Sequence, residues 1–179
     1  MRQQVRIILN DDEMRTACHG AMERTLSRQK YDHIPRTQNR TKYYDEHWWQ
    51  SDIVGAIAEY SVAKLLDLPW QWEMRDDKYD VGTYQVRSTE KPDNRLLLIS
   101  RDDPSHNYIF CRVRANRTLI EGWINGQKVI DNDEKLYEDT WTISTYRLYP
   151  ITDLPEFPQT LPKGCGMYQP PVKKLGTVT

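Results

Sequence analysis

The sequence predicts an α+β domain with a mixed central sheet and flanking helices. Three observations carry that expectation. Apolar residues recur at helical spacing in two stretches, about 11–29 and 51–66. Between them and the C-terminal third lie several short β-rich runs separated by turn signals. The 179 residues suffice for one domain with a buried core.

Val5–Leu9 is a short apolar run that reads as an edge strand. Asn10, Asp11, Asp12 and Glu13 then offer an N-cap and first-turn acids, where the helix dipole favours negative charge. Met14, Ala17, Cys18, Ala21, Met22 and Leu26 continue at helical spacing. Periodicity disappears from Tyr31 to Asp45, where Lys30, Arg36, Arg40 and Lys42 alternate with Tyr31, Tyr43 and Tyr44. Such a loop can follow phosphates and stack on bases, or simply be a solvated loop anchored by its aromatics.

Ser51-Asp52 is a candidate N-cap for a second helix, apolar almost all round and hence buried. Glu59 is its one acid between Asp52 and Asp67. A charge in such a helix calls for a partner cation or a metal, unless it reaches solvent. Leu68-Pro69-Trp70 ends the helix. Tyr79-Asp80 and Tyr84–Thr89 flank Val81-Gly82-Thr83, a hairpin turn with Gly82 supplying positive φ. Arg95–Arg101 is a continuous apolar run and reads as a central strand. Tyr108–Arg114 and Thr118–Ile124 are further strands, and Asn125-Gly126 is a turn signal. The middle of the chain thus reads as a helix followed by a meander of about four strands. Asn132–Glu138 reads as a loop or helical turn, and Thr140–Ser144 as another strand. Residues 1–154 form the expected domain; the Pro- and Gly-rich 155–179 read as an extended tail.

Composition bounds the function. Hydrophobic residues are 38% and charged residues 28%, with six Trp and eleven Tyr, which describes a polar, aromatic-rich folded chain. The net charge of -1 supplies no global field for nucleic acid, so such a partner needs a local basic patch. Arg95, Arg101, Arg112, Arg114 and Arg117 are candidates, with Arg112 and Arg114 on one face of their strand. Three separated Cys without a CxxC suggest reduced thiols, and the Met1–Arg6 start lacks a signal-peptide pattern. No apolar run approaches a membrane span. A cytoplasmic protein with no membrane partner is the expectation. His19, His33, His47 and His106 lack metal-ligand spacing; Asp102 and Asp103 are candidate acidic ligands but fall in a turn, where Asp is common.

Glu59, Asp80, Gln85 and Arg87 carry the chemistry. Phosphodiester hydrolysis near neutral pH needs an activated water and neutralised charge, both of which a bound Mg²⁺ or Mn²⁺ provides. Hard cations take oxygen ligands: here the Asp80 carboxylate, the Gln85 amide oxygen and the Val86 backbone carbonyl. Gln85 and Arg87 are two apart on a strand and share a face, so Arg87 can sit over a phosphate but stays protonated and is no general base.

A helix acid, then Asp, a short turn and a Gln-x-Arg tripeptide resembles the PD-(D/E)XK nuclease-like superfamily, in which Glu or Gln, any residue and Lys follow the Asp. Gly55–Tyr60, Asp80-Val81-Gly82 and Gln85–Thr89 together are similar to a phage-encoded branch of it. The resemblance covers about residues 50–125 and implies an αβββ core and Mg²⁺-dependent DNA cleavage. It implies Glu59, Asp80, Gln85 and Arg87 as the catalytic set, with Glu59, on the helix that such folds pack beside the metal, as a further metal ligand. Gln85 departs from the usual acid and Arg87 from the usual lysine. The alternative expectation is a catalytically weakened nucleic-acid-binding or protein-interaction module of the same fold. Cleavage of both strands would often require a homodimer, which the sequence leaves open.

Overall fold

The computed structural model describes residues 3–30, 48–70, 72, 79–132 and 135–168, and of residues 28–30 and 48 the helical backbone alone. The basic, tyrosine-rich 31–45 loop, His33 and His47 lie outside the described residues, as do the last eleven positions of the expected tail.

The elements run β1 (Gln4–Ile8), α1 (Asp11–Lys30), α2 (Trp48–Leu66), β2 (Tyr84–Thr89), β3 (Leu96–Ile99), β4 (Asn107–Arg114), β5 (Arg117–Asn125), α3 (Gly126–Asp131), β6 (Lys135–Tyr137), β7 (Thr140–Ile143) and β8 (Cys165–Tyr168). This is an α+β fold with a mixed sheet. The larger sheet has the order β2-β4-β5-β1-β8, with β2 parallel to β4 and the other pairs antiparallel. A smaller antiparallel sheet has the order β3-β7-β6.

The layers follow from alternation along β4. Ile109, Cys111 and Val113 join Ala58, Val62, Leu65 and Leu66 of α2 in one core. Tyr108 and Phe110 point the other way and join Leu96, Leu98, Val129 and Ile143 in a second core. A helical layer thus covers one face of the main sheet and the small sheet covers the other, leaving β4 buried on both.

Helix α1 starts as the sequence suggests. Asn10 Oδ1 accepts from the amides of Asp12 and Glu13, both at 3.0 Å, and Glu13 Oε2 accepts from the Asn10 amide at 2.8 Å. Its inward face is made by Ala17 and Ala21; Met22 and Leu26, expected on that face, are exposed. Small inward residues let α1 lie close on α2. Helix α2 begins by Trp48, before the expected Ser51-Asp52 cap, and Asp52 instead accepts from Thr25 Oγ1 at 3.1 Å, fastening the two helices. Asp67, with φ of 52°, ends the helix in the left-handed region, and the Leu68 amide reaches back to the Ala63 carbonyl at 3.1 Å.

Several expectations need correcting. β1 is not an edge strand: β5 and β8 bond its two sides. The 95–101 run is not a central strand of the main sheet. Leu96 and Leu98 are buried while Leu97 is exposed, a one-sided pattern that suits the small covering sheet. With β3 removed to that sheet, β2 and β4 are joined by a crossover and run parallel, so there is no simple meander. Asn125-Gly126 makes no hairpin. Asn125 Oδ1 caps the Gln127 amide at 3.1 Å and starts α3. Lys135–Tyr137 is a short strand, and Cys165–Tyr168, within the expected extended tail, pairs with β1.

Candidate functional site

Asp80 is placed by the tight turn before β2. The Tyr84 carbonyl accepts from the Asp80 and Val81 amides at 3.0 and 3.2 Å, and the Tyr84 amide returns to the Val81 carbonyl at 2.8 Å. Gly82 has φ of 54°, the left-handed conformation that favours glycine, and a Cβ there would have to push aside the tip of Leu68, whose Cδ1 would stand 2.9 Å away. The chain reversal aims the Asp80 carboxylate at β2, where Oδ2 accepts from the Val86 amide at 2.8 Å.

Burial, and after it the charge of Glu59, pushes the Asp80 carboxyl up to about 6; the Val86 N–H and the guanidinium groups of Arg87 and Arg24 act in the opposite sense. Glu59 comes from the middle of α2 and is 5% exposed. Arg24 grips it with two bonds, Nη1 to Oε1 at 2.8 Å and Nη2 to Oε2 at 2.6 Å, and Trp70 Nε1 adds a third at 3.0 Å. Arg24 also donates from Nε to the Trp72 carbonyl at 3.3 Å. Glu59 therefore meets Asp80 as a neighbouring charge, with its own oxygens spent on donors from α1 and Trp70.

Gln85 and Arg87 share a face of β2 as their spacing predicts. Arg87 Nη1 lies 3.3 Å from Gln85 Oε1 and 3.4 Å from the Val86 carbonyl, so two neutral oxygens converge on one cationic nitrogen. Its Nη2 donates to Asp102 Oδ1 at 2.9 Å, and the guanidinium stands 5.2 Å from the centre of the Tyr108 ring. Asp102 is fixed in turn, its Oδ2 accepting from the Ile99 amide at 3.0 Å. Burial and the Asp102 charge push the Tyr108 phenol up to about 12.

These groups bear on the metal expectation. Among the described residues no three His, Cys, Asp or Glu side chains come together to hold a metal ion. The available set is one carboxylate, Asp80, with the Gln85 amide oxygen and the Val86 carbonyl. That set fits a hard divalent cation such as Mg²⁺, which is usually held through one or two carboxylates and keeps several waters. The convergence of the two neutral oxygens on a positive nitrogen is the observation that supports the fit.

Arg24, Trp70 and Asp102 complete the cluster through contacts that the sequence does not announce. Arg24 is 35 residues from Glu59, and only the packing of α1 on α2 joins them. Asp102 was legible as an acid but indistinguishable from an ordinary turn residue. His106, buried with its ring centre 4.5 Å from that of Tyr79, has Nε2 3.5 Å from Asp103. The expected basic sheet face is altered: Arg112 is held by Glu121 and by the carbonyls of Lys91, Pro92 and Asn94. Arg114 is exposed.

Comparison of the chain with protein-family models, curated proteins and solved structures finds no match. Among the described residues no helix is long and apolar enough to cross a membrane.

Proposed function

We propose that the chain is a metal-dependent phosphodiesterase that cleaves DNA, centred on Asp80. One observation carries the reading. Asp80 is tied to the root of the strand whose Gln85 and Val86 oxygens converge on a cationic nitrogen, and it lies in the field of the buried Glu59 carboxylate. A protein that raises the energy of its own carboxylate has arranged a place where added positive charge is favourable.

A bound Mg²⁺ or Mn²⁺ supplies the activated water and part of the charge neutralisation. Asp80, Gln85 and the Val86 carbonyl would hold it. Glu59, whose oxygens are engaged, acts through its charge on Asp80 and by anchoring Arg24 and Trp70. Arg87 stabilises negative charge developing on the phosphate and, remaining protonated, takes no proton. Asp102 aims that guanidinium. The free thiols of Cys18, Cys111 and Cys165 support a reducing, cytoplasmic setting.

A cleavage time course on supercoiled, linear and single-stranded DNA, with Mg²⁺, Mn²⁺ or EDTA, tests this. Cleavage requires metal and falls at least about 100-fold in Asp80→Ala, the scale on which single catalytic groups act. Cleavage that persists unchanged in the variant would sink the assignment. A second reading, DNA binding without turnover, is favoured by the closed Glu59–Arg24 and Arg87–Asp102 pairs. Its signature is salt-sensitive binding with no cleavage of any substrate.

A further inference from the structure

A cavity of about 360 Å³ opens beside the candidate site, walled by Arg15, Thr16, His19 and Gly20 of α1 and by Trp70 and Trp72. We propose that it receives one unstacked nucleobase of a single-stranded DNA segment, a substrate assignment that rests on the phosphodiesterase reading. Its walls have the chemistry of a base site. Two indoles and an imidazole offer flat apolar faces, and His19 and Trp72 stand nearly edge to face with ring centres 6.4 Å apart. Arg15 at the rim supplies a cation for the strand's phosphates. Its present partner is Asp12, at 2.7 Å and exposed on both sides, a pairing that costs little to exchange.

The cavity and the carboxylates share a wall. Trp70 turns its Nε1–H to Glu59, while the far end of the same indole reaches Gly20, where a Cβ would lie 2.5 Å from Cη2. The Trp70 backbone bridges to Val81, the residue after Asp80. Arg24 joins the two places again, holding Glu59 with its Nη atoms and the Trp72 carbonyl with Nε. A base lodged here holds its strand next to Asp80. In duplex DNA both faces of a base are covered by its neighbours, so the cavity selects single-stranded or flap DNA.

The test measures binding without catalysis. Full-length Asp80→Asn protein in EDTA is titrated against fluorescent oligothymidylate, an abasic oligomer of equal length and charge, and duplex DNA, with anisotropy as the readout. The abasic oligomer and the duplex bind about 10-fold more weakly than oligothymidylate, the scale of one lost base–aromatic stack. Trp72→Ala costs about 10-fold for oligothymidylate and nothing for the abasic oligomer, and Trp72→Phe restores most of the loss. Equal affinity for the abasic and normal oligomers, or equal weakening of both by Trp72→Ala, would overturn the proposal. Wild-type protein that cleaves with Mg²⁺ while showing equal affinities would sink the pocket alone. Base-dependent binding without cleavage would sink the catalytic reading and leave the pocket standing.

Discussion

Two carboxylates beside the main sheet, the buried Glu121 and the half-buried Asp80, are treated in opposite ways. Glu121 of β5 is met by the Arg112 guanidinium and the Gln4 amide, and Arg112 goes on to fasten the carbonyls of the 91–94 loop. Every participant there is placed to balance charge and close a loop over the sheet. Asp80, at the other end of the sheet, takes its hydrogen bond from a backbone amide and lies in the field of Glu59. The nearest guanidinium on its strand is committed to Asp102. The first arrangement minimises the energy of a buried charge; the second leaves part of it uncompensated. Such expenditure of stability is expected where a site must receive something positive.

The largest test of this contrast removes a balancing cation. Arg24→Ala leaves Glu59 buried without its bidentate partner and destabilises the fold by about 3–5 kcal/mol in urea unfolding. A loss below about 1 kcal/mol would mean that the Glu59 charge is relieved in some other way. Gly20→Ala comes next. The new methyl would meet the Trp70 ring at 2.5 Å, so the indole must shift, at a cost of about 1–3 kcal/mol. Near-ultraviolet circular dichroism registers the same displacement; an unchanged spectrum and unchanged stability would remove Trp70 from its place as the shared wall.

The third effect is of opposite sign. The carboxyl of Asp80 is raised to about 6 in the folded protein, from an ordinary value near 3.8. The folded state therefore holds this proton more tightly than the unfolded state. Its contribution is fully present below the unfolded value and is lost as pH rises through about 6. Asp80→Asn, measured in EDTA at pH 8, gains about 1–3 kcal/mol and lacks that pH dependence. A variant less stable than wild type at pH 8 would place Asp80 with Glu121 among the balanced charges. The smallest effect belongs to the exposed Arg15–Asp12 pair: Arg15→Ala changes stability by less than about 0.5 kcal/mol.

What was legible in the sequence was local. The capping residues of α1, the positive-φ glycine at 82 and the shared face of Gln85 and Arg87 each follow from a few adjacent residues. Pairing across the chain was not legible. Nothing in Leu96–Ile99 distinguishes a strand of the main sheet from one that covers it, and only the second core around Tyr108 and Phe110 decides the matter. Asn125-Gly126 carries a hairpin signal, yet the Asn side chain found a helix amide to cap. The same limit applied at the site. Asp80, Gln85 and Arg87 are close in sequence, and Glu59 stands out as a charge in an apolar helix; the Arg24–Glu59 and Arg87–Asp102 pairs that surround them are known only from the fold.

The most direct test of the central claim is a titration of the metal-free protein with Mn²⁺, following the thermal midpoint of wild type and Asp80→Asn. A site organised around a partly compensated Asp80 predicts a midpoint that rises with Mn²⁺ in wild type and does not move in the variant. Equal shifts in the two proteins, or no shift in either, would contradict it.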